Sequence, residues 1–256
     1  MAMVGAVAAI MSASADTDVS GLTSETLGWM KVASTATNTI ISVPWVEVGG
    51  DGTGVAVTNL VKTDSLSGEC YLLYWDGSQF KGWSLNARNW VPGAVSYRND
   101  KGGSATAQEA PAGYTLPRGK ALFIHRPAGA TNGDIYLYGK YVATAPAPFT
   151  IVAGTEANPT YTLIGNPSNA AVSLNEEGLF ADPGDDDQIM IPGADGSIAK
   201  ICKRQDGQWK WWNDKKTSAT VGTMTVYTPG WDDNVDIPIG RGVWYVSKGG
   251  TPTVQF

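Results

Sequence analysis

Charged residues, histidine and cysteine are all scarce in this sequence, and each shortage argues against a class of protein. Asp, Glu, Lys and Arg make up 16% of the 256 residues, and the net charge is −6. An acidic chain without a basic stripe is not expected to bind nucleic acid, because phosphates need neutralising cations. The single histidine, His125, has no second histidine for a zinc site and no G-x-S-x-G serine to activate. We therefore predict a protein that is not an enzyme and has no catalytic residues.

Long hydrophobic runs are also missing. No stretch approaches the roughly 20 apolar residues that a membrane-spanning helix needs. Residues 1–15 form a shorter apolar stretch that ends in Ala-Ser-Ala before Asp16. This pattern predicts a secretory signal and a protein that lies outside the cell or at its surface, with no transmembrane segment in the mature chain. The alternative is an apolar arm that the mature protein keeps.

Strand-forming and turn-forming residues dominate the rest of the chain. Short runs of Val, Ile, Tyr, Trp and Thr alternate with clusters of Gly, Pro, Asn and Asp, a composition typical of an all-β fold. Asp76-Gly77 and Asp206-Gly207 lie between such runs and predict two β-hairpins. Residues 99–112 are polar and are expected to form a loop.

Two similar stretches indicate an internal duplication. Leu116–Arg126, LPRGKALFIHR, and Ile237–Gly249, IPIGRGVWYVSKG, share a proline, a glycine, a basic residue and then an apolar strand. We expect Gly119 and Gly240 to lie at equivalent positions and to tolerate a positive φ before the strand.

The predicted fold is all-β, with two tandem duplicated units of β-sandwich or barrel-like form. Thr144–Phe149, TAPAPF, is the expected hinge, because its prolines cannot donate to a β ladder. The predicted segments are a signal-like segment and N-terminal arm at 1–28, β unit one at 29–143, and β unit two at 144–256.

Several runs of this chain resemble a known family. LPRGKALFIHRPAG with IYLYGKY, YTLIGNPSNA, and IPIGRGVWYVSKGG are similar to motifs of an uncharacterised family of secreted, internally duplicated bacterial β proteins. Many members carry a C-terminal sorting tail of the PEP-CTERM type, whereas this chain ends at TVQF, so membrane-linked sorting is not expected. The resemblance covers most of residues 38–256 and implies no catalytic residues.

Two acidic clusters, DPGDDD and WDDNVD, are the candidate metal sites. Dense carboxylates can bind calcium, which accepts oxygen ligands in flexible geometry. Neither cluster has the spacing of a calcium loop, and the alternative is a pair of solvated turns. The candidate calcium ligands are Asp185, Asp186, Asp187, Asp232 and Asp233.

The tryptophans of QWKWWN, in unit two, are candidate contacts for a ligand or a partner. The period of two in a strand sends Trp209 and Trp211 to one face and Trp212 to the other, so at least one should meet solvent or a partner. The alternative is that these side chains supply the core.

Cys70 and Cys202 are the only two cysteines. In an oxidising compartment they could form a disulfide between the units, since both precede an Asp-Gly turn with the same parity. The alternative is two free buried thiols.

The function that these features favour is a secreted structural protein that self-associates into an extracellular filament or surface layer. If residues 1–15 are retained, Val4, Val7 and Ile10 belong to a strand that is apolar on both faces and suited to insertion into a neighbouring copy. The alternative is an adhesive module that binds carbohydrate through exposed tryptophans. The expected partners are therefore further copies of the chain or glycans, and calcium is the one cofactor considered.

Overall fold

The structure of the protein is a computed structural model that describes residues 27–33, 37–48, 50, 52–63, 66, 69–98, 104–126, 134–193, 195–221 and 223–256. The described residues form 22 β-strands and one four-residue helix, so the all-β prediction is confirmed. Among them, no helix is long and apolar enough to cross a membrane.

The elements of the first half are β1 (Leu27–Val32), β2 (Asn38–Ser42), β3 (Gly54–Ala56), α1 (Val57–Leu60), β4 (Tyr71–Trp75), β5 (Phe80–Asn86), β6 (Asn89–Pro92), β7 (Val95–Arg98), β8 (Ser104–Glu109), β9 (Thr115–Pro117), β10 (Ala121–His125) and β11 (Ile135–Lys140). Those of the second half are β12 (Phe149–Thr150), β13 (Thr160–Gly165), β14 (Val172–Ser173), β15 (Phe180–Ala181), β16 (Gln188–Pro192), β17 (Ile198–Gln205), β18 (Gln208–Val221), β19 (Met224–Asp232), β20 (Asp236–Ile237), β21 (Gly242–Ser247) and β22 (Thr253–Val254).

Each half builds one large sheet. The strand order is β2–β10–β4–β5–β8–β7 in the first half, with β6 beside β5, and β13–β21–β16–β17–β18–β19 in the second. In both sheets the opening strand pairs with a late strand, which pairs in turn with the first strand of a hairpin. The pair β5–β8 is parallel. Smaller pairings join β1 to β11 and β12 to β22.

Both predicted hairpins are confirmed. Asp76 and Gly77 connect β4 to β5, and the Asp76 carboxylate accepts bonds from the backbone N–H groups of Ser78 and Gln79, both at 2.9 Å. Asp206-Gly207 connects β17 to β18. The loop prediction for residues 99–112 is wrong in part, because residues 104–109 form β8. Their polarity hid a strand that gains its stability from pairing with β5 and β7.

Each large sheet buries its own apolar core. The first core includes Cys70, Leu72, Trp83, Leu122 and Ile124. The second core includes Ile164, Ile189, Cys202, Trp209 and Tyr245.

Main-chain hydrogen bonds join the two halves in a reciprocal pattern. The N–H of Ser42 donates to the carbonyl of Gly240 at 3.0 Å, and the N–H of Gly165 donates to the carbonyl of Gly119 at 2.8 Å. Each acceptor glycine lies two residues before its strand, β10 or β21. The predicted positive φ is confirmed at both, with +83° at Gly119 and +70° at Gly240. We call these residues the junction.

Aromatic side chains cover one side of the junction. The indole Nε1 of Trp75 donates to the carbonyl of Tyr161 at 2.9 Å. The rings of Phe123 and Trp244 lie 5.6 Å apart and pack beside the small buried cluster of Ile40, Ala121 and Leu163. Residues from both halves therefore share one packed cluster.

Candidate functional site

The hairpin of β18 and β19 extends beyond the second sheet. The pairing register shifts between Asn213 and Thr217, and the described side chains from residue 214 to residue 229 are exposed. Val226 and Tyr227 are neighbours on β19, and each is 48% exposed. Neighbouring strand residues point to opposite faces, so both faces of this ribbon are open. We call residues 214–229 the arm, which is a different segment from the N-terminal arm predicted at residues 1–28.

The outer edge of the arm carries no charge. β19 is the last strand in the order of its sheet, and residues 224–231, MTVYTPGW, contain no Asp, Glu, Lys or Arg. Proteins usually protect an edge strand with charged side chains, proline or a covering element. Pro229 is the one such residue in this run, so most of the edge is suited to the addition of a further strand.

The structure separates the three candidate tryptophans as the sequence predicts. Trp209 is buried and Trp211 packs against the second core, whereas Trp212 is 50% exposed on the opposite face. Trp212 makes an edge-to-face contact with Trp231 at 5.5 Å, at the base of the arm. The prediction that at least one of the three would meet solvent is confirmed.

A cleft of about 490 Å³ opens in unit one, where α1, β11 and the turn between β5 and β6 meet. A volume of this size is within the usual range for small-molecule sites. Its charged lining residues are Glu47, Lys62 and Arg88, and the ring of Tyr138 forms part of the wall.

Two of these charged side chains are held in place by the protein. The carboxylate of Glu47 accepts bonds from the Ala56 N–H at 2.7 Å and from the Asn59 side-chain amide at 2.6 Å. The ammonium of Lys62 lies 4.5 Å from the centroid of the Tyr138 ring, in a cation–π contact. The cleft therefore presents an ordered acceptor and an ordered cation.

Arg88 occupies a strained turn at the edge of the cleft. Ala87 and Arg88, which connect β5 to β6, have φ values of +46° and +68°. Such values favour glycine and are costly for other residues. No described residue forms a hydrogen bond or an ion pair with the Arg88 guanidinium. Within the described part of the chain, Arg88 is therefore an exposed cation on a turn that costs backbone energy.

The candidate calcium ligands differ in burial and in hydrogen bonding. Asp187 is fully buried and accepts the Tyr245 hydroxyl at 2.6 Å and the Lys248 N–H at 2.6 Å. Asp185 and Asp186 are exposed neighbours, Asp233 is exposed, and Asp232 accepts the Asn234 N–H at 3.0 Å. The part of the chain that the structure describes contains no group of three or more His, Cys, Asp or Glu residues placed to hold a metal ion. Calcium binding rests on the sequence pattern alone and stays a prediction.

The structure contains no disulfide between Cys70 and Cys202. Both side chains are buried, and each packs in the core of its own half. Burial raises the pKa of Cys202 to about 12, which keeps the thiol protonated and unreactive.

His125 lies on β10 and contacts side chains of the neighbouring strands β2 and β4. Its Nδ1 is 2.7 Å from the Asn38 side-chain oxygen on the paired strand β2, and its ring stacks on Tyr71. Burial lowers the pKa of His125, so the neutral imidazole is favoured.

The proposed donor residues Val4, Val7 and Ile10 lie outside the described residues. Strand donation by the N-terminus therefore stays a prediction. The first described strand, β1, begins at Leu27 and pairs with β11, so residues 27 and 28 pack with unit one.

Comparison of the chain with protein-family models, curated proteins and solved structures gives no match. The family resemblance of the sequence motifs stays a prediction.

The sequence interpretation missed the cleft and the arm. The cleft brings together Glu47, Arg88 and Tyr138, which are far apart in the chain, and no motif links them. A signal for the arm was present in residues 217–228, where Thr and Val recur and Met224 and Tyr227 are the only larger side chains. Strand propensity without a buried face is the pattern of an exposed ribbon.

Proposed function

We propose that this chain is an extracellular structural protein that self-associates through its arm. The arm carries the proposal, because its two faces are open and its outer edge is uncharged. A two-stranded ribbon alone in water is marginally stable, so the arm gains stability when a further strand covers its edge.

The occupant of this edge is β19 of a second copy. Each copy has a net charge of −6, so two copies repel one another over most of their surfaces. The arm is an exception, because Lys215 and Lys216 outnumber Asp214. Main-chain hydrogen bonds between residues 224–231 of two β19 strands, a run without charged side chains, supply the contact.

Growth beyond a dimer needs a second contact. Pairing of β19 with β19 is a two-fold contact that closes on itself. A filament or a layer can form if the N-terminal residues around Val4, Val7 and Ile10 insert as a strand into another copy. It can also form if a second sheet edge pairs with another copy.

We also infer that the two units are a tandem duplication. This inference is supported by the shared pairing plan of the two large sheets and by the reciprocal bonds of Ser42 with Gly240 and of Gly165 with Gly119. A two-fold relation between similar bodies produces reciprocal contacts of this kind.

Substitution of the edge strand tests self-association. Val226→Lys with Tyr227→Lys puts one charge on each face of β19, and we expect this variant to sediment as a monomer. The matched control is Ser218→Lys with Ala219→Lys, because these β18 residues are the register partners of Tyr227 and Val226. The control carries the same charges on the other strand of the arm, away from the β19 edge, and should still associate.

Analytical ultracentrifugation over a range of concentrations, with electron microscopy of the material, measures the outcome. A wild-type protein that stays monomeric at every concentration would sink the proposal. Equal association of the edge variant and the control would show that β19 is not the contact.

The second candidate, a carbohydrate-binding adhesive module, is favoured by exposed aromatic rings. Trp29 is 54% exposed and Trp212 is 50% exposed. A monomer that is retained on a glycan array would favour this candidate over self-association.

A further inference from the structure

We propose that the cleft of unit one is a binding site for an oligosaccharide that carries carboxylate groups. The site rests on the carbohydrate-binding candidate and shares no residue with the arm, so it stands or falls independently of self-association. Its argument uses the charge of the cleft, the strained turn at Arg88 and the aromatic surface beside it.

The cleft is locally cationic in an acidic protein. Among the described lining residues, Lys62 and Arg88 are the cations and Glu47 is the one carboxylate, whose two oxygens already accept bonds from Ala56 and Asn59. Two cations against one satisfied carboxylate attract an anion. The planar guanidinium of Arg88 matches a carboxylate in a two-bond geometry.

The turn that carries Arg88 has a counterpart in the other half of the molecule. The turn between β17 and β18 uses Asp206-Gly207, with φ values of +55° and +77°. A glycine at this second position removes the backbone cost. Unit one has Arg88 there instead, so a strained residue directs a cation toward the cleft, as is common at binding sites.

An aromatic surface leads into the cleft from the β1–β11 ribbon. Trp29 is the register partner of Tyr138 and contacts Tyr136 at a ring distance of 5.8 Å. Tyr138 also lines the cleft. The exposed ring of Trp29 offers an apolar face to the C–H face of a sugar, and Tyr138 connects this surface to the cation at Lys62.

The polar groups of the cleft match sugar hydroxyls. Thr58, Asn59 and Asn89 line it with hydroxyl and amide groups that donate and accept hydrogen bonds. Single-stranded nucleic acid, the other ligand of aromatic and cationic surfaces, needs a groove of several cations that follows the phosphates. The two described cations of the cleft, Lys62 and Arg88, in a chain of net charge −6 do not supply that groove.

Binding of a galacturonate oligosaccharide to the full chain, measured by isothermal titration calorimetry, tests the site. The matched probe is the same oligosaccharide as its methyl ester, which keeps the shape and removes the charge. We expect the ester to bind at least tenfold more weakly. We expect Arg88→Gly to weaken binding of the acid at least tenfold and to raise the midpoint of thermal unfolding, because glycine relieves the turn.

Lys62→Met should weaken binding of the acid as well, while Lys203→Met, which removes an exposed lysine of β17 outside both the cleft and the arm, should leave it unchanged. Weaker binding by a more stable Arg88→Gly protein would show that Arg88 contributes to binding and not to stability, because a residue with a structural role would lower stability when it is replaced. Equal affinity for the acid and the ester, unchanged binding by Arg88→Gly, or no binding of the acid by the wild-type protein would overturn the proposal.

Discussion

Lys120 is a partly buried lysine next to Gly119 of the junction. Its ammonium lies 3.4 Å from the centroid of the Phe149 ring, and burial lowers its pKa from 10.5 to about 8. The cause is lost hydration, which disfavours the charged form. The contact links unit one to β12 of unit two.

The free energy of unfolding should therefore depend on pH through Lys120. Between pH 8 and pH 10 Lys120 keeps a proton in the unfolded chain that it has released in the folded chain, so its contribution to stability rises with pH. We expect a gain of about 2 kcal/mol over this range, at about 1.4 kcal/mol per pKa unit. Urea denaturation of the wild type and of Lys120→Met measures it, and the variant should lack this gain. The same pH dependence in both proteins would contradict the assignment.

Asp187 ties two loops together from a fully buried position. Its carboxylate accepts the Tyr245 hydroxyl and the N–H groups of Gly184, Lys248 and Gly249. Replacement by Asn puts N–H donors against these donors, so Asp187→Asn should lower the free energy of unfolding by about 2 kcal/mol. Asp186→Asn, at the exposed neighbour, is the control and should have almost no effect in the same urea denaturation. A loss of equal size in both variants would contradict the structural role.

At the residue scale, the sequence allowed us to predict turns and backbone conformation. It did not allow us to predict contacts between residues that are far apart in the chain. The turns at Asp76-Gly77 and the positive φ of Gly119 and Gly240 follow from the residues themselves. The role of Asp187 depends on Lys248, which is 61 residues away. The sequence therefore predicted a calcium site at the cluster of Asp187, although this side chain forms hydrogen bonds within the protein.

At the scale of elements, the junction depends on close backbone approach. A Cβ on Gly165 would lie 2.2 Å from the carbonyl oxygen of Lys120, inside van der Waals contact. Gly165→Ala must therefore move β13 away from the Gly119–Lys120 turn. We expect a loss of about 3 kcal/mol in the free energy of unfolding, at the upper end for such overpacking.

Gly93→Ala is the matched control for Gly165→Ala, because no atom lies within 4 Å of a Cβ at that position. Thermal unfolding of both variants measures the effect. A Gly165→Ala protein as stable as the control would mean that the two halves do not meet at this strand.

The elements that sequence reasoning located best are those with a buried face. The apolar strand predicted within residues 116–126 is found as β10, because apolar residues dominate that run. β8 and the outer part of β18 were missed, since their polar residues have no buried face to reveal them. Whether such polar segments form strands depends on pairing with other strands, and the sequence of one strand does not contain that information.

At the scale of the whole molecule, the reciprocal bonds predict a single unfolding event. Ser42 and Gly165 each bond to the opposite half, and a Cβ on Gly119 would lie 3.1 Å from the Phe256 ring. Because neither half can open without exposing the other, we expect one cooperative transition. Calorimetry checks this by comparing the calorimetric and van't Hoff enthalpies, which should agree. Two resolved transitions in the wild type would indicate independent halves.

The tryptophan pair at the base of the arm has an optical consequence. Trp212 is half exposed, and its edge-to-face contact with Trp231 at 5.5 Å places two indole transitions close enough to couple. Indole emission shifts to shorter wavelength when water leaves the ring. Docking of the arm on another copy would therefore change both the fluorescence maximum and the coupled circular dichroism band, so the molecule carries its own unlabelled reporter of assembly.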